Sequence, residues 1–299
     1  MRHQAVAPNQ YASRPAFTRA QQAAPLVVAQ PPVAAVQEVI DESSLAPQFK
    51  LMKTQGIEGR VAFWSEFLTH SKEAAQALAT IQNVPKISDS APLVPSKFDC
   101  TTFVETVAAL SRSESSRDFY PNLLAIRYRG SQPDYLARNH FPEADWIPNN
   151  QSAGILSDTT QVLADAAKVD REVAHKRIDR TRWLAKQQGT GASRGLASFA
   201  EPLRASVPFV PLKSVEALSS KIPSGAILNI VRHDRENKPV LITHQGFVIQ
   251  QDGKTMFRHA SVGGAIKTVP LMQYLRDLEE KAREKNWPLA GVNVNQLKR

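Results

Sequence analysis

The sequence predicts an α+β domain, and three observations predict it. Apolar residues recur at helical spacing up to about residue 110, short β-branched and aromatic runs fill the last third, and no alternating strand–helix units connect the two regions. A doubly wound parallel sheet is therefore not expected. The expected organisation is an Ala/Pro/Gln-rich tail over residues 1–45 and one domain over 46–299. That domain has a helical first half, a basic helical insertion about 160–195 and a β-rich C-terminal third.

The tail holds ten Ala, five Pro and six Gln, no Gly or Trp, and no apolar period, which predicts disorder. Its mildly apolar run Ala23–Val36 is broken by Pro25, Pro31 and Pro32 and does not read as the core of a signal peptide. Order is expected from Phe49. Over Val61–His70, the residues Val61, Trp64, Phe67 and Leu68 share one helical face, with His70 as a surface cap at its end. A Pro- and Ser-containing loop, Pro85–Ser96, precedes a second helix over Phe98–Leu110, where Phe103, Val107 and Leu110 recur at i, i+4 and i+7. Ala166–Arg194 reads as a solvated basic helix and loop, with eight Lys/Arg against three acids. Three strands follow, over Ala226–Val231, Val240–Gln250 and Thr255–Ala260, with a turn at Gln251–Gly253, as an antiparallel meander.

Composition excludes several classes of function. With 299 residues the chain can bury a full core, and its single cysteine rules out an intrachain disulfide and any zinc site built on two or four cysteines. No run approaches the roughly 18 apolar residues of a spanning helix. The net charge of +9 favours anionic partners, but the cations are not interleaved with aromatic residues, so nucleic acid is not expected. No His/Cys/carboxylate cluster has zinc spacing, and no metal or cofactor is expected.

The chemistry concentrates on Cys100, His244 and His259. Asp99-Cys100-Thr101 opens a helix behind a loop, and a helix N-terminus or a neighbouring histidine lowers a thiol's pKa toward the reactive thiolate. A cysteine hydrolase also needs a base and a group to orient that base. His244 begins a strand beside Gly246, and His259 follows fifteen residues later, a separation expected to set the two opposite each other in one hairpin. Glu105 lies about 140° round the helix from Cys100, which implies a structural role. His175 and His233 sit in charged stretches and are expected at the surface.

Asp99-Cys-Thr-Thr-Phe-Val-Glu105, His244-Gln-Gly-Phe-Val-Ile249 and Phe257-Arg-His-Ala-Ser261 together resemble the signature blocks of the NlpC/P60 papain-like cell-wall hydrolases. Ile126-Arg-Tyr-Arg-Gly130, Arg138-Asn-His-Phe141 and Asp145-Trp-Ile147 narrow the resemblance to the DUF1460, N-acetylmuramoyl-L-alanine amidase-like branch, over roughly residues 85–299. The resemblance implies a papain-like fold with the nucleophile at the N-terminus of a helix packed on an antiparallel sheet. It further implies Cys100 as nucleophile, His244 as general base, His259 as its orienting partner, and the Cys100 N–H as an oxyanion donor. Many of these enzymes carry a tyrosine before the nucleophile, where this chain reads Pro92-Leu-Val-Pro-Ser-Lys-Phe98, so the second oxyanion donor is not assigned.

The central blocks supply the candidate substrate-binding residues. Arg127 and Arg138 would clamp a stem-peptide carboxylate or form structural ion pairs. Tyr128 and Trp146 would stack on a sugar or be buried, Asn139 and His140 would bind acetamido or peptide groups or fix loops, and Asp145 is a further substrate-binding candidate. The implied reaction is hydrolysis of the N-acetylmuramoyl–L-Ala amide of peptidoglycan or muropeptides, in the periplasm or cell envelope, through a thioester. The alternatives are cleavage between D-Glu and diaminopimelate, or a non-catalytic cell-wall-binding module, which would be expected to have lost one of Cys100, His244 or His259.

Overall fold

The structure is a computed structural model that describes residues 43–81, 97–180 and 201–299. The expected tail up to residue 42, the Pro85–Ser96 loop and the basic stretch 181–195 lie outside the described residues. Within the unit Asp41–Arg299, the chain begins with helices α1 (Ala46–Met52), α2 (Ile57–Phe67) and α3 (Ser71–Leu78), followed by α4 (Cys100–Arg112) and α5 (Ser116–Arg127). A π-helical turn at Pro142–Trp146 leads into α6 (Ile147–Ser152), β1 (Leu156–Asp158) and α7 (Thr160–Ala167). The remainder is β2 (Glu172–Ile178), β3 (Leu203–Pro211), α8 (Val215–Ser219), β4 (Ile227–Arg232), β5 (Ile242–Gln251), β6 (Lys254–Ala260), β7 (Ile266–Pro270), α9 (Leu271–Glu284) and β8 (Leu289–Leu297).

The helices and antiparallel sheet make an α+β fold. The strands run in the order β2-β3-β8-β4-β5-β6-β7, with β1 also paired to β8. The expected meander is present from β4 to β7, and β8 returns from the C-terminus to lie between β3 and β4. Asp252 and Gly253, both at positive φ, make the tight β5–β6 turn. One sheet face buries Phe247 and Ile249 against the N-terminal helices, where Phe103 of α4 meets Phe247 edge to face at 5.7 Å. The other buries Val248 and Phe257 against Leu271 and Leu275 of α9.

Of the face expected on α2, Val61, Trp64 and Leu68 are buried, while Phe67 is half-buried. The helix stops at Phe67, and His70 is exposed at the start of α3 with no side-chain cap bond. Two buried arginines hold α2 in place. Arg60 donates to the Ser111 and Ser113 carbonyls at the end of α4, and Arg258 of β6 donates to Ala62 O, Ser65 Oγ and Glu66.

The basic helix expected over 160–195 is corrected in its described part. Thr160–Ala167 is helical, but Glu172–Ile178 is a strand. Ala174, Lys176 and Ile178 turn inward while Val173, His175 and Arg177 face out, a period of two, and every residue from 172 to 178 pairs antiparallel with β3. The charge count did not carry that period. The partner strand lies beyond residue 200, out of reach of local propensity.

Candidate active site

Cys100 is the first residue of α4 for a local reason. Asp99, in extended backbone, accepts the Thr102 N–H at 2.7 Å, and Thr102 Oγ1 accepts the Asp99 N–H at 2.9 Å, a reciprocal capping box. The first-turn N–H groups, including that of Cys100, have no partner within the helix.

The two histidines meet on neighbouring strands. The β5–β6 ladder pairs Phe247 with Arg258 and Val248 with Phe257. Continuing that register sets His259 opposite Gly246, so His244 lies diagonally across from His259 on the same face, two residues from the directly opposed position expected from spacing. The diagonal brings His244 Nε2 within 2.9 Å of His259 Nδ1. With the proton assigned to His244 Nε2, His259 accepts it and His244 Nδ1 carries a free lone pair.

Gly246 is what this packing requires. A Cβ there would lie 2.6 Å from Arg258 O and 2.7 Å from the Phe257 ring. In its absence Phe257 stacks on His259, with centroids 5.0 Å apart and planes 14° apart, and Tyr274 of α9 contacts both rings. Gly246→Ala is therefore expected to cost about 1–3 kcal/mol through overpacking. Thermal melting would register the loss, and an unchanged melting temperature would mean that Phe257 has room to move.

Burial sets the resting protonation of the site. His244 is pushed down to about 3, first by burial and then by His259, with Asp99 opposing. Burial, and then Asp99, pushes the Cys100 thiol up, against hydrogen bonds from the Gln245 and Thr101 backbones and the Thr101 hydroxyl. This corrects the lowered thiol pKa expected from the helix N-terminus: loss of water disfavours the charged form of each group, so Cys100 rests as a thiol and His244 as a neutral imidazole. Alkylation of Cys100 by iodoacetamide should thus show a midpoint above the ordinary thiol value of about 8.5. Asp99→Asn keeps a capping side chain, removes the charge and should lower that midpoint. A wild-type midpoint well below 8.5 would restore the thiolate–imidazolium pair.

Cys100, His244 and Gln245 line a cleft of about 480 Å³ together with His140, Lys238 and Trp287. Of the other expected binding residues, His140 alone lines this cleft, its Nε2 2.7 Å from Tyr135 O. Arg127 is 1% exposed and pairs with the equally buried Glu105 at 2.7 Å, so it is an internal ion pair and not a substrate clamp. Tyr128 and Trp146, also 1% exposed, are core aromatics with no face open to a sugar. Buried Asn139 donates to Ile126 O and accepts from Asn149. Arg138 is half-buried, bridged through its backbone to Tyr128. Asp145 accepts the Phe141 N–H at 3.3 Å, and burial pushes its carboxyl up. His175 and His233 are exposed, as expected.

Several site residues escaped sequence reasoning. Gln245 accepts from the Thr101 hydroxyl and donates to Asn229, which in turn donates to Asn293, forming a buried amide chain from α4 across β5, β4 and β8. Its signal was polar residues at inward positions of otherwise apolar strands. Buried Glu143 accepts the Leu241 and Ile242 N–H groups and fixes the entry to β5, a contact across about a hundred residues with no local signal.

Known proteins bear on these features. A Legionella pneumophila protein of the DUF1460 family is 23% identical, with 86% of this chain and 94% of that chain covered and a TM-score of 0.68. An N-acetylmuramoyl-L-alanine amidase from Bacteroides uniformis ATCC 8492 is 22% identical, with 77% and 99% covered and a TM-score of 0.51. At these identities the likeness is one of fold. No curated protein matches the chain. Residues 66–281, well over half of the sequence, match the family model described as AmiA-like, N-acetylmuramoyl-L-alanine amidase-like. With the match running from the end of α2 through α4, which opens on Cys100, and both histidine strands into α9, the chain belongs to the AmiA-like, N-acetylmuramoyl-L-alanine amidase-like family.

Proposed function

We propose that this protein is a cysteine-dependent amide hydrolase of the papain-like NlpC/P60 kind that cleaves the N-acetylmuramoyl–L-Ala bond of peptidoglycan or muropeptides in the periplasm or cell envelope. The observation that carries the reading is the His244 Nε2···His259 Nδ1 bond at 2.9 Å, with His244 lining one cleft together with Cys100 at a capped helix start. Family membership supports the substrate class.

The mechanism starts from the neutral pair. As Cys100 Sγ attacks the lactyl carbonyl, His244 Nδ1 takes the thiol proton, and His259 Nδ1 stabilises the resulting imidazolium through the Nε2–H it already accepts. The Cys100 N–H, at the positive end of α4, stabilises the tetrahedral oxyanion. His244 returns the proton to the leaving nitrogen, which releases the stem peptide with a free L-Ala amine and leaves a thioester. Water, deprotonated by His244, then attacks the thioester and frees the lactyl carboxylate and the thiol.

The test is digestion of purified muropeptides and sacculi by the wild type and Cys100→Ala, with products identified by mass spectrometry. Stems beginning with free L-Ala, released by the wild type only, are expected. Stems cut after D-Glu would move the protein to the endopeptidase reading. Binding of sacculi without cleavage by any form would make it a wall-binding module.

A further inference from the structure

Lys238 lines the cleft that holds Cys100 and His244, and its ammonium lies 4.7 Å from the centroid of the Trp287 ring. The guanidinium carbon of Arg232 lies 4.9 Å from the same ring. Arg232 is engaged, through Nε to Thr243 Oγ1 and through its guanidinium to Trp287 O. Among the described residues, Lys238 has neither a carboxylate partner nor a side-chain hydrogen bond, and its contact is the indole face. A half-buried lysine held on an aromatic face presents three donors to an anion.

The segment that presents it is tied down. Lys176 of β2 pairs with Asp234 and donates to Arg235 O, the Lys238 N–H returns to Arg235 O, and Trp287 Nε1 donates to His233 O at 2.9 Å. At the far end, Glu143 holds Leu241 and Ile242. The ammonium is thus presented from a fixed loop, so little ordering has to be made up on binding.

We infer that Lys238, seated on Trp287, is the carboxylate-recognition point of the cleft and selects substrates with a free carboxylate on the peptide side of the scissile amide. This deepens the amidase reading and rests on it for the identity of the substrate. In that reading the group is a carboxylate of the D-Glu residue that follows L-Ala.

The experiment separates the two claims. Calorimetry on the Cys100→Ala protein compares N-acetylmuramoyl-L-alanyl-D-glutamic acid with the same dipeptide bearing both carboxyls as primary amides. The diacid should bind about tenfold more tightly, as one charge-assisted contact at a half-exposed site implies. Lys238→Gln in that background should remove the preference, and Lys238→Arg should retain most of it. No preference in the parent, no binding of either ligand, or a preference that survives Lys238→Gln overturns the inference. Cleavage by the wild type is scored independently: a Lys238-dependent preference without cleavage keeps the carboxylate site and removes the amidase reading, and cleavage without the preference does the reverse.

Discussion

Cys100→Ala should lower amide cleavage by at least about 10⁴-fold while leaving the fold intact. The fold should survive because the helix start depends on Asp99 and Thr102, whose reciprocal bonds do not involve the sulfur. His244→Ala should lose a comparable factor, and the double variant little more, because the proposed nucleophile and base act as one unit. His259 offers a finer test. In the proposed mechanism it accepts the His244 Nε2–H, so His259→Asn, which retains an acceptor oxygen, should keep more activity than His259→Ala. Equal losses in the two His259 variants would reduce that residue to packing against Phe257 and Tyr274. Initial rates on a muropeptide, with circular dichroism melts alongside, decide these points.

Arg127→Met should destabilise the protein by about 3–5 kcal/mol, since it leaves the Glu105 carboxylate buried without its cation. Both side chains are 1% exposed and joined at 2.7 Å, and Arg127 Nη2 has no hydrogen-bond partner among the described residues. The pair therefore joins α4 to the end of α5 at a large desolvation cost. Arg127→Met with Glu105→Leu removes both charges and should recover much of the loss. Urea unfolding of the single and double variants measures this. The activity of the folded single variant should be near that of the wild type, and a selective rise in KM without loss of stability would return Arg127 to a substrate role.

The parts of the site legible in the sequence are those that local chemistry determines. The cap Asp99-Cys100-Thr101 is a short-range pattern, and α4 begins at Cys100 as that pattern requires. The β5–β6 turn is likewise written in Asp252-Gly253, and with it the hairpin that brings His244 and His259 together. The central blocks were harder to read. Arg127, Tyr128 and Trp146 have the residue types of a binding face, yet all three are buried. Residue type states what a side chain can do when exposed, and exposure is decided by what packs over it. The strand Glu172–Ile178 failed for a related reason, since its pairing partner lies beyond residue 200.

By itself, then, the sequence determined the α+β class, the helix that opens on Cys100, the hairpin carrying the two histidines, and the family resemblance of the residues around them. These depend on contacts within a few residues or across one tight turn, where periodicity and capping are sufficient. Only the tertiary structure decided the diagonal meeting of the histidine rings, the neutral resting pair, the amide chain behind Gln245, and the Lys238–Trp287 wall of the cleft. Each of these depends on burial or on contacts between elements distant in the chain, and water exclusion is a property of the packed whole.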